Sequence, residues 1–281
     1  MDLVRRALAM KAACGRARAA GKRIGFVPTM GFLHEGHLAL VRRVRAHSDV
    51  AAVSIFVNPT QFGAGEDLDR YPRDLARDCE LLAGEGVDLV FAPEPEEVYP
   101  AGASTFVEVA GFSDTLEGRS RPGHFRGVAT VVAKLFEIVR PDVAAFGQKD
   151  AQQALIVRRM VRDLFMDVEI LVLPTRREDD GVALSSRNVF LSPAERRAAR
   201  AIPRALEAAH GAVSAGEKDP SKIVEAARGP IEAEPLLRVD YVELVGAEDL
   251  SALSRVQGEM LLVVAVFAGT TRLIDNIVLR S

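Results

Sequence analysis

Residues 24–37 read Ile-Gly-Phe-Val-Pro-Thr-Met-Gly-Phe-Leu-His-Glu-Gly-His, a pattern that indicates a strand, a turn and the start of a helix. The apolar run at 24–27 predicts a strand, and the spacing from His37 onward predicts a helix. Glycines in the turn permit close approach of the backbone, and the free N–H groups of a helix N-terminus favour an anion. His34 and His37 are three residues apart, so both can donate hydrogen bonds on one side. The stretch therefore predicts an anion site, for which a phosphate is the natural ligand.

Other interpretations compete for this loop. Zinc proteases carry His-Glu-x-x-His on a helix, whereas residues 34–37 read His-Glu-Gly-His, one residue short and without an evident third ligand. The sequence has neither the G-x-G-x-x-G pattern of a dehydrogenase nor the P-loop of a kinase. Two exposed histidines that merely cap a loop remain the structural alternative.

Short apolar runs alternate with helical patterns through the first 175 residues. The predicted strands are 24–27, 50–57, 87–92, 143–146 and 168–173. The predicted helices between them are 37–46, 71–84, 127–139 and 150–165. Apolar strands separated by helices indicate parallel pairing through crossovers. We therefore expect an α/β fold, a Rossmann-like doubly wound parallel sheet that binds ligands at the carboxyl ends of its strands.

The pattern changes after Pro174. Two helices are predicted at 193–215 and 220–233, and three strands follow at 238–244, 260–267 and 272–279. Helices followed by strands are typical of a small α+β unit. We predict a Rossmann-like domain over residues 1–175 and a smaller α+β C-terminal domain over residues 176–281. The charged residues 176–180 and Gly181 suit a hinge or a mobile loop.

Composition excludes several classes of protein. The 281 residues include 36 basic and 39 acidic side chains, so a net charge of −3 supplies no positive excess for nucleic-acid binding. No apolar run reaches the ~20 residues of a membrane helix. The two cysteines are too far apart for a disulfide framework or a zinc knuckle. We expect a cytoplasmic protein that binds neither nucleic acid nor membrane.

The N-terminal segment allows two interpretations. Residues 1–23 carry seven Arg and Lys against one Asp, as a transit peptide would. Leu3, Ala7, Leu8 and Ala12 are nevertheless spaced for one face of a helix. We interpret the segment as a helix that leads into the first strand.

Three further polar segments follow predicted strands or the domain boundary. Asn58 and Gln61 are neutral and suit a hydroxyl or a carboxylate, although Asn-Pro is also a turn dipeptide. Lys149, one of only six lysines, offers a compact charge to phosphate. Asp150 beside it suits either a helix cap or a ribose hydroxyl. Residues 185–187, Ser-Ser-Arg, form either a flexible phosphate grip or an ordinary polar loop.

Five segments together resemble the pantoate–β-alanine ligase family, whose members are also called pantothenate synthetases. In chain order they are PTMGFLHEGH at 28–37, FVNPTQF at 56–62, RPGHFRGV at 121–128, GQKD followed by QQ at 147–153, and LSSRN at 184–188. They follow the family's order over about two-thirds of the chain, and no diagnostic motif lies beyond Leu191. His-x-Gly-His with a later serine-rich basic loop also occurs in a wider nucleotidyltransferase group. The Asn-Pro-x-Gln-Phe and Gly-x-Lys-Asp segments narrow the resemblance to the ligases.

The resemblance implies ATP-dependent condensation of (R)-pantoate with β-alanine through a pantoyl-adenylate, with release of AMP and pyrophosphate. It makes His37 the family's catalytic histidine. The chemistry of the two steps adds residues that would neutralise charge on the departing pyrophosphate, and Asn58, which would help to place the amine. The full catalytic set is His34, His37, Asn58, Lys149 and Arg187.

The resemblance also implies where each ligand binds. Pantoate would be held by Gln61 and Gln153, with Met30 and Phe62 against its methyl groups. The residues implied at the ATP site come from the three phosphate segments and from the backbone near the adenine: Met30, Gly31, Phe32, Leu33, His34, Glu35, Gly36, His37, Gly147, Gln148, Lys149, Asp150, Arg176, Leu184, Ser185, Ser186 and Arg187. Residues 1–175 would then bind ATP and pantoate, and residues 176–281 would act as a lid. A homodimer is implied as well.

Two features depart from the family pattern. Gln148 stands where the family usually has Glu, and Ala151 stands where it has an aromatic residue. The family's acidic pair linked to Mg²⁺ aligns with Arg77 and Asp78, so Asp78 is the one predicted metal ligand. ATP phosphates and water would then hold most of the Mg²⁺.

Two other functions stay open at this point. Another nucleotidyltransferase of the same fold would act on a phosphate ester and would need a basic pocket where Gln61 and Gln153 are neutral. A non-catalytic nucleotide-binding regulator is the other class, for which Gln148 is the only hint.

Overall fold

Six strands of the first half form one parallel sheet in the computed structural model of the chain, of which residues 1–63 and 65–281 are described. The strands are β1 (Asp2–Val4), β2 (Ile24–Thr29), β3 (Val50–Ile55), β4 (Leu89–Phe91), β5 (Val143–Gly147) and β6 (Glu169–Leu173). Their order in the sheet is β1-β4-β3-β2-β5-β6, and every pairing is parallel. The predicted doubly wound α/β class is confirmed.

Seven helices occur between or beside these strands in the described part of the first half. They are α1 (Ala7–Ala19), α2 (Glu35–Arg45), α3 (Leu75–Gly84), α4 (Pro95–Val98), α5 (Glu117–Ser120), α6 (His124–Val139) and α7 (Ala151–Asp163). Helix α2 covers one face of the sheet with a row of buried apolar residues, Leu38, Leu40, Val41 and Val44. None of the helices in residues 1–63 and 65–281 has the length and apolar character to cross a membrane.

The strand order places a switch point beside β2. From β2 the chain continues to its neighbour β3 on one side, whereas from β5, the neighbour of β2 on the other side, it continues outward to β6. The loops after β2 and β5 therefore leave the sheet in opposite directions. Open parallel sheets bind their ligands at such a point, at the carboxyl ends of the strands.

One N-terminal expectation is wrong. Leu3 does not belong to a helix, because residues Asp2–Val4 form β1, which pairs in parallel with β4. Helix α1 begins only at Ala7. Three residues are too few to show a strand period, so the helical spacing of Leu3 and Ala7 was coincidental.

Helices and strands of the C-terminal part form an α+β unit. The helices are α8 (Pro193–Ala198), α9 (Ala201–Ser214) and α10 (Pro220–Glu232), and the strands β7 (Leu237–Gly246), β8 (Glu259–Ala268) and β9 (Thr271–Arg280) pair antiparallel in that order. Their core includes the fully buried Ile223, Ile231, Met260 and Leu262. The single helix predicted at 193–215 is two helices, since the ring of Pro203 excludes the carbonyl of residue 199 from a continuous helix.

The chain divides into two units. The first comprises Met1–Gln148 and Gln152–Pro174, and the second comprises Lys149–Ala151 and Thr175–Ser281. The roles predicted for the two domains, ligand binding and lid, stay predictions.

Candidate active site

The loop after β2 has a strained, closely packed backbone. Gly31 has φ +84° and Phe32 has φ +50°. A Cβ atom on Gly31 would lie 2.9 Å from Ile55 Cγ2 and 3.0 Å from Asp78 Oδ2, so only glycine fits there. The hydroxyl of Thr29 accepts the Gly31 N–H at 3.1 Å and donates to the Ser54 carbonyl at 2.7 Å. The loop shape is therefore set by the strand ends beneath it.

Asp78 and Arg77 of helix α3 hold this loop from the side. The two carboxylate oxygens of Asp78 accept the backbone N–H groups of Phe32 and Leu33, each at 2.7 Å. Arg77 donates to the Leu33 carbonyl at 3.0 Å, and its guanidinium lies 5.4 Å from the centre of the Phe32 ring. Burial raises the pKa of Asp78, although both N–H donors and Arg77 favour its charged form.

This geometry does not support Asp78 as a metal ligand. Its side chain is completely buried and both of its oxygens already serve the loop. Within residues 1–63 and 65–281, no cluster of three or more His, Cys, Asp or Glu side chains is arranged to hold a metal ion. Asp78 acts here as the anchor of the histidine loop, and its contact with Mg²⁺ stays a prediction.

The two histidines cap helix α2 through one nitrogen each. The Nδ1 atom of His34 accepts the Gly36 N–H at 3.2 Å, and the Nδ1 atom of His37 accepts the His34 N–H at 3.3 Å. The rings lie 4.1 Å apart between centroids. Because each Nδ1 is an acceptor, the neutral rings carry their proton on Nε2. Both histidines therefore cap the helix and are half-buried rather than exposed, and the caps set the tautomer that can donate to a phosphate. Their phosphate role stays a prediction.

A 3-10 turn at Pro59–Gln61 follows β3 and brings three predicted residues together. Asn58 Nδ2 donates to Gln61 Oε1 at 3.1 Å, and Gln61 Nε2 donates to the Met30 sulfur at 3.3 Å. The predicted pantoate contacts Gln61 and Met30 therefore adjoin each other at the ends of two neighbouring strands. Phe62 lies just beyond the turn, with its ring 6.0 Å from that of Tyr71.

Asn58 itself has a structural role in this geometry. It is 1% exposed, and its amide also donates to the Gly127 carbonyl at 3.2 Å. Its oxygen accepts hydrogen bonds from the Tyr99 hydroxyl at 2.8 Å and the Thr60 hydroxyl at 3.0 Å. These bonds use both amide protons and both oxygen lone pairs. A direct contact of Asn58 with the amine therefore finds no support here and stays a prediction.

Helix α6 approaches this turn through a glycine. A Cβ atom on Gly127 would lie 2.4 Å from the Thr60 carbonyl oxygen, so a larger residue would push the helix off the turn. The motif at 121–128 contributed to the family resemblance, but sequence reasoning gave its residues no role.

The start of α6 adds a largely half-buried polar network that sequence reasoning missed. His124 Nδ1 donates to the Gln61 carbonyl at 2.8 Å, and its Nε2 faces Arg121 Nη1 at 3.2 Å. Arg121 pairs with Glu66 and Glu117. Burial and the neighbouring Arg121 charge lower the pKa of His124 from 6.5 to about 4, so the ring is neutral in the folded protein. The available signal was His124 between Gly123 and Gly127, with Arg121 shortly before them.

The two adjacent glutamines of α7 differ in environment. Gln152 is buried, donates to the Phe112 and Thr115 carbonyls at 2.7 and 2.9 Å, and accepts the Glu117 N–H at 3.1 Å. Gln153 is half-buried. Gln152 therefore supports the chain at 112–117, and Gln153 stays the predicted pantoate contact.

The second unit contains the remaining predicted phosphate contacts. Lys149 has a side chain 20% exposed, with Nζ 3.9 Å from Asp150 Oδ1 in the 3-10 turn that precedes α7. The Ser185 hydroxyl oxygen accepts the Arg187 N–H at 3.3 Å and caps the 3-10 turn Ser186–Phe190. Leu184 N–H donates to the Arg176 carbonyl at 2.9 Å. Both predicted segments are thus ordered turns of this unit.

Taken together, a parallel sheet with a His-x-Gly-His loop at the carboxyl end of a central strand defines a Rossmann-like protein of the nucleotidyltransferase group. The family model described as pantoate-beta-alanine ligase matches residues 2–278. The chain belongs to the pantoate-beta-alanine ligase family, and it is an enzyme of the ligase class.

Individual relatives agree over nearly the full length. A pantothenate synthetase from Moorella thermoacetica is 54% identical over 280 residues, covering 100% of this chain and 99% of the relative. The crystal structure of pantothenate synthetase from Thermus thermophilus is 48% identical with a TM-score of 0.94, covering 99% of each chain. A pantoate-beta-alanine ligase from Francisella tularensis, complexed with beta-gamma ATP and beta-alanine, is 33% identical with a TM-score of 0.82, covering 99% of this chain and 97% of that one.

Proposed function

We propose that this protein ligates (R)-pantoate to β-alanine in an ATP-dependent reaction that passes through a pantoyl-adenylate and releases AMP and pyrophosphate. One observation carries the proposal beyond family membership. The histidine loop and the neutral Asn58–Gln61 turn meet where Gln61 contacts Met30. This contact supports a site in which phosphate donors and a neutral pocket for a hydroxy acid share one edge of the sheet.

The donor set suits a triphosphate. In the first unit, His34 and His37 offer Nε2–H groups, and the backbone N–H groups at the start of α2 favour an anion. The family resemblance assigns the charges of Lys149 and Arg187 to the same phosphates. The Francisella tularensis relative was solved with beta-gamma ATP and beta-alanine, which supports the same ligands for this chain. Mg²⁺ would be held mainly by phosphate oxygens and water, and it would neutralise charge on the departing pyrophosphate.

The first step needs placement more than a base. A pantoate carboxylate is already ionised at neutral pH, so one of its oxygens attacks the α-phosphorus directly while the bond to the bridging oxygen breaks and pyrophosphate leaves. The chain's task is to align these atoms and to stabilise charge on the leaving group. His34, His37 and Lys149 are the residues that we assign to that charge.

The second step forms the amide bond. The amine of β-alanine attacks the acyl carbon of the mixed anhydride, the bond from that carbon to the AMP oxygen breaks, and the amine loses a proton. Water must be kept out, because hydrolysis of the anhydride would return pantoate and AMP. We assign this protection to the predicted lid, residues 176–281 with the loop 185–187.

The pantoate pocket is neutral in our proposal. Gln61 and Gln153 would bind the hydroxyl and carboxylate oxygens, and Met30 and Phe62 would contact the methyl groups. A nucleotidyltransferase that acts on a phosphate ester would need cationic side chains in these places, and the pair of glutamines disfavours that alternative. A homodimer, implied by the family resemblance, is part of the proposal, and light scattering of the purified protein would test it.

Isotope transfer tests the adenylate. With ATP, Mg²⁺, β-alanine and pantoate labelled with ¹⁸O in its carboxylate, one labelled oxygen should appear in AMP for each pantothenate formed. Water labelled with ¹⁸O and unlabelled pantoate are the matched control, in which AMP should stay unlabelled. Label in inorganic phosphate with formation of ADP would indicate an acyl phosphate instead, and label in neither product would rule out activation of the carboxylate.

A further inference from the structure

Strand β9 carries two adjacent buried polar residues in a part of the chain without a diagnostic motif. Asp275 is 2% exposed and Asn276 is 5% exposed. Neighbouring side chains in a strand leave it on opposite faces. The two residues therefore reach different partners. Asn276 contacts Lys149, which has a predicted role in phosphate binding, and Asp275 contacts Arg177, which precedes the predicted phosphate loop 185–187.

Asp275 fixes a short hairpin. Its oxygens accept two hydrogen bonds from Arg177, at 2.6 Å from Nη1 and 3.0 Å from Nη2. Arg177 also donates to the Gly181 carbonyl at 3.0 Å and forms a bridge with Ala183 across the hairpin. The chain leaves this hairpin at Leu184 and enters the loop 185–187 directly. The ion pair thus determines where that loop begins.

The ion pair of Asp275 with Arg177 is energetically costly on this buried face of β9. Asp275 alternates along β9 with Leu273, Ile277 and Leu279, which belong to or pack against the apolar core of this unit. A buried carboxylate costs desolvation energy, and an apolar residue of similar size is often as stable as a buried pair. Folding stability alone therefore does not explain a carboxylate at position 275. A role in holding the Arg177 side chain in place does explain it.

Asn276 fixes the turn that carries Lys149. Its Nδ2 atom donates to the Lys149 carbonyl at 2.9 Å, across 127 positions of sequence. The backbone N–H of Asn276 donates to Asp275 Oδ1 at 2.8 Å, so the two residues are linked to each other. Because the amide holds the main chain of Lys149, it restricts where the ammonium group can reach.

We infer that Asp275 and Asn276 are positioning residues for ATP, which set the Lys149 turn and the 185–187 loop from a single strand without touching the nucleotide. The inference rests on the proposed function. Misplacement of reacting groups by about 1 Å can cost about a hundredfold in rate. Loss of either contact should therefore weaken nucleotide binding and turnover while the pantoate pocket keeps its affinity.

Three substitutions test the inference in the full-length protein. Asn276→Asp keeps the shape of the side chain but replaces the amide donor by an oxygen that faces the Lys149 carbonyl. Asn276→Ser shortens the side chain and removes the amide that makes this hydrogen bond. Asp275→Asn removes the negative charge opposite Arg177. Calorimetric Kd values for β,γ-methylene-ATP should rise about tenfold in each variant, and kcat should fall. The Kd of pantoate and its KM should change less than about twofold.

Asp240→Asn is the matched control. Asp240 of β7 pairs with Arg272 of β9 at 2.6 Å in the same sheet, away from either phosphate segment in sequence. Its loss should lower the unfolding temperature and leave the nucleotide Kd and kcat unchanged. Asn276→Ser is the mildest change and decides the question if the other two variants do not fold.

The outcomes separate this inference from the proposed function. An unchanged nucleotide Kd in folded Asn276→Ser, with wild-type protein that makes pantothenate, would overturn the inference alone. An equal loss of nucleotide affinity in Asp240→Asn would overturn it too, because general damage to the sheet would explain the effect. Wild-type protein that binds ATP but makes no pantothenate would refute the proposed function, and the nucleotide Kd values would still test the positioning role.

Discussion

Replacement of Asp78 tests whether this carboxylate anchors the histidine loop or binds a metal ion. Its two hydrogen bonds, to the N–H groups of Phe32 and Leu33, are charge-assisted and buried. Such bonds contribute about 1.5–3 kcal/mol each, and desolvation of the carboxylate, which raises its pKa, offsets part of that gain. We expect Asp78→Asn, which keeps one acceptor, to cost about 2 kcal/mol of folding free energy, and Asp78→Ala about 3 kcal/mol.

The effect of Asp78 substitutions on nucleotide binding should come from the histidine loop that Asp78 anchors. Without its anchor, the strained backbone at Gly31 and Phe32 relaxes, and His34 and His37 lose their common orientation. Calorimetric Kd values for β,γ-methylene-ATP should rise about tenfold in Asp78→Asn, and urea unfolding gives the stability. The Mg²⁺ concentration for half-maximal activity at saturating ATP should change less than about twofold.

A helix cap provides the control for Asp78. Asp74 caps α3 by accepting the Arg77 N–H at 3.1 Å, so Asp74→Ala should cost about 1 kcal/mol of stability without a change in nucleotide Kd. The anchoring role is refuted if Asp78→Asn keeps wild-type stability and metal-free nucleotide affinity while its Mg²⁺ requirement rises tenfold or more. That result would make Asp78 the metal ligand that the sequence predicted.

Three further predictions concern other parts of the site. Gln153→Ala should raise the pantoate KM about tenfold with ATP binding nearly unchanged. Gln152→Ala, the control, should lower stability instead. An equal weakening of ATP binding in Gln153→Ala would show that the pantoate pocket is assigned wrongly. The pKa of His124 is 6.5 in the unfolded chain and about 4 in the folded protein, so between these pH values the unfolded state binds a proton and the folded state does not. The free energy of unfolding should therefore drop by on the order of 3 kcal/mol as pH falls from about 6.5 to about 4. Urea unfolding of His124→Gln should lack this slope, and His210→Gln, at an exposed position, should keep it. We expect the side chain at 148 to support the turn at Lys149 as a hydrogen-bond acceptor. Gln148→Glu should then change kcat/KM by less than about tenfold and Gln148→Ala by more, whereas a hundredfold gain with Glu would mean that the charge itself is required.

Local sequence patterns determined the elements of the first half. Apolar runs buried on both faces predicted five strands of the parallel sheet, because a residue's preference for a buried strand depends on its immediate neighbours. The glycines and histidines at 31–37 likewise predicted a strand–turn–helix with an anion site. The same local patterns missed β1, whose three residues become a strand only through pairing with β4. They also predicted one helix over the residues of α8 and α9, because helical spacing alone does not show that Pro203 interrupts the helix.

The roles of individual polar residues depended on contacts far apart in sequence. Asp78 became the loop anchor because α3 places it against N–H groups 45 and 46 positions away. The amide side chain of Asn58 made it a candidate for substrate contact. In the structure it is buried by Tyr99 and by the close approach of Gly127. A carboxylate or an amide has the same chemistry whether it binds a ligand or its own backbone. Which partner it takes is decided by the position of distant chain segments, and only the tertiary structure determines that position.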